Sequence, residues 1–247
     1  MTDTLTIAAR FNGPPMSGNG GYLCGLLAQS AATPASTVTT VTLRRPPPLE
    51  QALDVVKTSD QLVELRDDNK VVADAVPSAD TPPIVDAVEP SMVAAAEQAY
   101  RGMTGHPFPT CFVCGTHRAP GDGLRLRPGP VSERPDMTAC AWTPDASLVD
   151  PASGRVRAEF VWAALDCPGA WTLDISGRPM VLGRMTGLVD AEPQIGDACM
   201  VMGHLLGREG RKAFTATTLY GANGVVLGRA SAIWLEVDPR IFSAGSI

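Results

Sequence analysis

The same order of elements occurs twice along this chain: an apolar helix, a strand, a proline-marked corner, long strands, a turn at asparagine, and a return strand. In the first copy, residues 20–32 carry Leu23, Leu26 and Leu27 among small residues, which predicts a helix buried over most of its surface. Residues 37–43 follow, rich in β-branched side chains, and Pro46-Pro47-Pro48 ends that strand. Strands over 52–56 and 62–65 then lead through the turn Asp67-Asp68-Asn69 to a return strand over 71–75, an antiparallel meander. The second copy has its helix within 159–171 and strands over 181–189, 198–207, 212–220 and 225–235. Asn69-Lys70-Val71-Val72 corresponds to Asn223-Gly224-Val225-Val226. A duplicated α+β unit is expected, each copy one helix wrapped by an antiparallel sheet.

Between the copies, residues 77–90 are rich in Pro, Asp and Ala without periodicity and read as a linker, with a short helix over 92–101. Alternating apolar and charged residues over 123–127 predict a strand, as does the stretch 137–142. The resulting division is an N-terminal unit over 1–90, a linker with a short helix over 91–110, and a C-terminal unit over 111–247.

Composition narrows the function classes. The chain of 247 residues is 45% hydrophobic and 19% charged, with net charge −6 and no basic cluster, so nucleic acid and anionic membrane are not expected partners. No apolar run approaches a bilayer-spanning length, and Met1-Thr2-Asp3-Thr4 has no basic region before an apolar stretch, which predicts no membrane insertion and a cytoplasmic location. Six cysteines, at 24, 111, 114, 140, 167 and 199, are too thinly spread for a disulfide framework and are expected to be reduced. With 24 glycines, 22 prolines and 5% aromatics, many turns and short strands around an aliphatic core are expected.

The first helix is opened by a glycine-dense loop, Gly13-Pro14-Pro15-Met16-Ser17-Gly18-Asn19-Gly20-Gly21-Tyr22. Unpaired N–H groups at a helix start carry partial positive charge, and glycine lets a ligand approach them, so a carbonyl or oxyanion can bind there. Asn19 also fits an ordinary helix cap. The second helix region holds a lone carboxylate in an apolar run, Val161-Trp162-Ala163-Ala164-Leu165-Asp166-Cys167-Pro168-Gly169. Desolvation there raises a carboxyl pKa towards neutrality and suits a general base, while Asp followed two residues later by Pro is equally a helix-start signature.

Gly20-Gly21-Tyr22…Ala28, then Val41-Thr42-Leu43-Arg44-Arg45-Pro46, resembles the N-terminal half of double hotdog acyl-CoA thioesterases. There a glycine pair opens the central helix and an Arg-Pro step ends the next strand. Cys111-Phe112-Val113-Cys114-Gly115 followed by Gly123-Leu124-Arg125-Leu126 is similar to the CFxCG…GLxL segment of small hotdog thioesterases. The resemblance implies two antiparallel sheets, each wrapping a central helix and joined into one pseudo-dimeric unit. It also implies hydrolysis of an acyl-CoA or other acyl thioester, with a homodimer as the expected assembly. Asp166 matches the family's acidic position, which activates water against a thioester carbonyl held by helix-start amides of the facing copy. Gly20, Gly21 and Tyr22 match those amides, and Thr186 the family's hydroxyl residue. Asn19 is a candidate amide donor at the other side of the site, although an Asn in a loop also serves turns. This chain departs at the family's Gln, where Ala230-Ser231-Ala232-Ile233-Trp234 stands. That departure leaves a non-catalytic acyl-CoA or lipid binder, or a dimerising scaffold, as alternatives.

Other chemistries are less well provided for. Cys111-x-x-Cys114 with His117 has half the spacing of a zinc site but no second CxxC or HxxxH, so neither a metal nor another cofactor is expected. Cys167 as nucleophile would need His106, His117 or His204 brought to it from a distance. No Asp-x-Asn-Pro-x-His hydratase segment, Gly-x-Gly-x-x-Gly, Gly-x-Ser-x-Gly or phosphate loop is present.

Overall fold

Period-two burial is plainest in the last strand, where Gly228, Ala230, Ala232 and Trp234 face inward and alternate with more exposed neighbours. The computed structural model describes residues 3–31 and 37–242. Ala32, the last position expected in the first helix, lies outside them. The elements in chain order are β1 (Asp3–Thr6), α1 (Gly20–Ala31), β2 (Thr39–Leu43), β3 (Ala52–Ser59), β4 (Leu62–Asp67), β5 (Lys70–Pro77), α2 (Pro90–Gln98) and α3 (Gly102–Gly105). They continue with β6 (Gly129–Val131), β7 (Arg134–Trp142), α4 (Ala158–Ala164), α5 (Cys167–Ala170), β8 (Met180–Val189), β9 (Cys199–Glu209), β10 (Lys212–Tyr220) and β11 (Val226–Glu236).

All the strands join one 11-stranded antiparallel sheet, ordered β1-β3-β4-β5-β2-β8-β11-β10-β9-β7-β6. The expectation of two sheets is therefore corrected to one continuous sheet, closed across its middle by β2 against β8 with Thr40 opposite Thr186 and Val41 opposite Met185. Either side of that seam the order is the same. Counting β1 to β5 in the first half, and β7 to β11 in the second, each half runs first, third, fourth, fifth, second, with its helix between first and second strands. Strand β6 is an addition at the far edge.

The helices explain the tight joining of the halves. In α1, Leu23, Cys24 and Leu27 are fully buried, and Gly21 and Gly25 form a small-residue stripe against α4. A Cβ at Gly25 would lie 2.5 Å from the Glu159 Cα, and one at Gly21 would lie 2.4 Å from the Asp166 Cβ. Only glycine allows this approach. Because residue 21 meets 166 and residue 25 meets 159, the two helices run antiparallel. A single apolar cluster continues across both halves, from Leu53 and Leu65 through Leu23 and Phe160 to Val201 and Trp234.

Three expectations need adjustment. The stretch 123–127 is no strand: Leu124 and Leu126 are buried, but their N–H groups bond to Phe112 O and Val113 O, and Arg125 has φ +53°, which breaks extended pairing. The helix expected over 92–101 starts at Pro90 and stops at Gln98, and α3 follows it. The helix expected within 159–171 is broken between α4 and α5, because Pro168 lacks the N–H an unbroken helix would need.

Candidate active site at the junction of the two helix starts

Asp166 occupies the N-cap position of α5 with φ −79° and ψ −81°, yet its side chain makes no capping bond there. It crosses instead to the start of α1. Asp166 Oδ2 accepts hydrogen bonds from Asn19 Nδ2 at 2.8 Å and from the Gly21 N–H at 3.2 Å. The second carboxylate oxygen, Oδ1, is buried and has no hydrogen-bond partner among the described residues. Burial dominates the electrostatics and pushes the Asp166 pKa up to about 7, with the Gly21 and Asn19 bonds pulling partly the other way.

Asn19 does two jobs. Its Oδ1 accepts from the Tyr22 N–H at 2.9 Å, capping α1, while its Nδ2 reaches Asp166. The Leu23 N–H bonds to Asn19 O, and the Gly20 N–H has no partner among the described residues. Of the amides expected to hold a substrate oxygen, Gly21 thus serves the carboxylate, Tyr22 serves the cap, and Gly20 is free.

These groups open on a cavity of about 280 Å³. Its walls are mostly apolar, with Leu43, Trp171, Met180, Leu182, Trp234 and Phe242 among them, and Asn19, Asp166 and His106 supply polar groups. Trp234 stands on β11, within the stretch 230–234 that lacks a Gln, and its Nε1 is satisfied by Thr215 Oγ1 at 3.2 Å. Trp171 Nε1, like Asp166 Oδ1, is buried and has no hydrogen-bond partner among the described residues. Arg44 and Arg45 line the cavity mouth and also an adjoining open groove that carries Asn69 and Lys70.

Two expected site residues lie elsewhere. Thr186 bonds to Thr40 Oγ1 at 2.8 Å and does not line the cavity. Regular alternation would put it on the same face as Leu182, but a bulge shifts the register between β8 and β11, so that Ile233 pairs with Arg184 and Trp234 with Leu182. That extra residue turns Thr186 away from the site. The Tyr22 ring stacks on Phe11 with centroids 4.2 Å apart, beside Phe112 and Phe160, and burial pushes its hydroxyl pKa up to about 12. It is a core residue.

The cysteines and histidines are also rearranged relative to expectation. His117 is exposed and lies apart from Cys111 and Cys114; the third sulfur beside them is that of Cys167. Cys111 Sγ lies 3.8 Å from Cys167 Sγ. Cys167 is held as a thiol, its pKa raised by the neighbouring sulfurs and by burial, which argues against a nucleophilic role. His204 is paired with Asp136 at 3.0 Å on an exposed sheet face, and His106 Nε2 contacts Cys114 O at 3.1 Å.

No family model and no curated protein matches this chain. Solved structures do. The tesB protein of Mycobacterium avium subsp. paratuberculosis superposes with TM-score 0.61 at 13% identity, covering 95% of this chain and 92% of that one. A candidate thioesterase from Novosphingobium aromaticivorans gives TM-score 0.61 at 13% identity, covering 95% of both chains. A hot dog fold protein from Alicyclobacillus acidocaldarius gives 0.58 at 14%, covering 96% and 93%. At such identities the likeness establishes architecture, and with the repeated strand order it identifies this chain as a hotdog-fold protein along nearly its whole length.

Proposed function

We propose that the chain is an acyl-thioester hydrolase in which Asp166, from the second repeat, activates water beside the start of α1 in the first. The observation that carries this reading is the carboxylate itself: Asn19 and Gly21 hold Oδ2, and Oδ1, at the cavity, has no partner among the described residues. A buried polar atom without a partner is costly, and it is a natural acceptor for a proton from attacking water. The Gly20 N–H, at the positive end of α1, lines the same cavity and would take the thioester oxygen as charge develops on it. The thioesterase names of proteins sharing this architecture agree with that chemistry.

The cavity suggests the substrate class. At about 280 Å³ it sits at the small end of small-molecule sites, which favours short or aromatic acyl groups over long chains. Arg44 and Arg45 at the mouth suit a phosphorylated thiol carrier such as CoA, although Arg44 already pairs with Asp74. Trp234 on β11 favours a second reading, a binder without turnover, because that wall offers no polar group to the reacting centre.

Thiol release across short, aromatic, medium and long acyl-CoAs tests the proposal. The wild type is expected to hydrolyse the short or aromatic members and Asp166→Asn to lose that activity. Arg45→Glu is expected to raise KM for CoA thioesters while sparing truncated thioesters that lack phosphate. Saturable acyl-CoA binding without thiol release would select the binder, and equal turnover with and without the Asp166 carboxylate would refute the assigned base.

A further inference from the structure

At the floor of the cavity three thiols converge that the hydrolytic reading does not use. Cys111 and Cys114 come from the turn before Gly115, and Cys167 from the first position of α5. Their sulfurs all lie within 4.8 Å of one another and all are buried. We propose that Cys111, Cys114 and Cys167 bind one Zn²⁺ ion, with the fourth position open on the cavity side.

The spacing fits. Sulfurs bound at about 2.3 Å to a tetrahedral zinc are about 3.8 Å apart, and Cys111 Sγ and Cys167 Sγ are separated by 3.8 Å before any ion draws them together. Asp166 Oδ2 lies 4.0 Å from Cys167 Sγ. A set of three thiolates and one lighter donor in the open position is borderline in softness, which suits Zn²⁺ better than a hard cation such as Mg²⁺ or a purely thiophilic Cu⁺.

Hydrogen-bond donors also surround two of the three sulfurs. The main-chain N–H groups of Val113 and Cys114 are directed at Cys111 Sγ, and Asn19 Nδ2 lies 3.9 Å from the same sulfur. The indole N–H of Trp171, orphaned and buried, lies beside Cys114. Such donors offset the negative charge that three sulfurs bring into an apolar site, as outer-shell partners do in metal centres generally. Glycine at 115 is required by the turn, since a Cβ there would lie 2.4 Å from Cys111 O. The ion would tie the 109–117 loop to α5 and so fix the segment that begins at Asp166. Binding releases the thiol protons to solvent and involves no oxidation.

The test needs no thioester, so its failure and that of the hydrolase reading are separable. Full-length protein, reduced and stripped with a chelator, is titrated with Co²⁺ as a spectroscopic probe. One equivalent is expected to bind with intense sulfur-to-metal charge-transfer absorption, and Zn²⁺ is expected to displace it. Cys111→Ser, Cys114→Ser and Cys167→Ser should each lose that band, whereas Cys140→Ser and Cys199→Ser, which lie outside the cluster, should keep it. Should the cluster variants fail to fold, X-ray absorption of the zinc-loaded wild type decides, with three sulfurs and one lighter atom expected around the ion. No uptake by the folded reduced protein, a band that survives in Cys167→Ser, or a first shell with fewer than three sulfurs would overturn the proposal.

Discussion

The two halves share one strand order but treat their helices differently. In the first, α1 runs unbroken for 12 residues from Asn19-Gly20-Gly21, and its opening turn presents amides. In the second, the matching helix breaks at Asp166 ahead of Pro168, and the break frees a carboxylate to reach across to α1. Because the two helices run antiparallel, the start of the first meets the end of the second, and amide and acid come together there. Gly21 is where the difference becomes contact, since its missing side chain is the space Asp166 occupies.

The comparison can be broken most severely at the acid. Asp166→Asn keeps the shape and an acceptor for Asn19 and Gly21 but removes the base, and thioester turnover is expected to fall by roughly 10²- to 10⁴-fold with little change in Tm, read by thiol release and thermal unfolding. Next comes the contact between halves. Gly21→Ala places a methyl 2.4 Å from the Asp166 Cβ and must displace it, so activity is expected to drop about 100-fold, with about 1–3 kcal/mol of stability lost in denaturant unfolding.

Asn19→Ala probes the amide side and should act more mildly. Loss of the cap on Tyr22 costs about 0.5–2 kcal/mol, and losing the bond to Asp166 should lower kcat more than it alters KM. The smallest effect is expected at Thr186→Val. It removes a hydroxyl pair with Thr40 on the wrong side of the sheet, so steady-state kinetics should match wild type and stability should change by no more than about 1 kcal/mol. A large loss of kcat in Thr186→Val would mean that the bulge near Gly183 has been misjudged.

What the sequence made legible was local. The Gly20-Gly21 helix start, the apolar run around Asp166 and the period-two strands β8 to β11 are each written within a dozen residues, and strand β10 falls at the residues expected. Strand β1 leaves no signal in the sequence, because four largely polar residues carry no apolar alternation. Thr186 faces away from the expected side because a single bulge reverses the facing of a strand and leaves no mark in a pattern of alternation. Cys167 joined Cys111 and Cys114 only through tertiary packing, so the CxxC pair pointed towards His117, its neighbour in sequence, rather than towards its neighbour in space.

The central claim, that acid and amide serve one reacting carbonyl, is met most directly by a crystal structure with a non-hydrolysable acyl-CoA analogue whose ketone replaces the thioester carbonyl. The ketone oxygen is expected within hydrogen-bond distance of the Gly20 N–H, the Asp166 Oδ1 facing the same carbon through one water, and the acyl group beside Leu182 and Trp234. An analogue bound with its carbonyl remote from both groups, or seated outside this cavity, would contradict it.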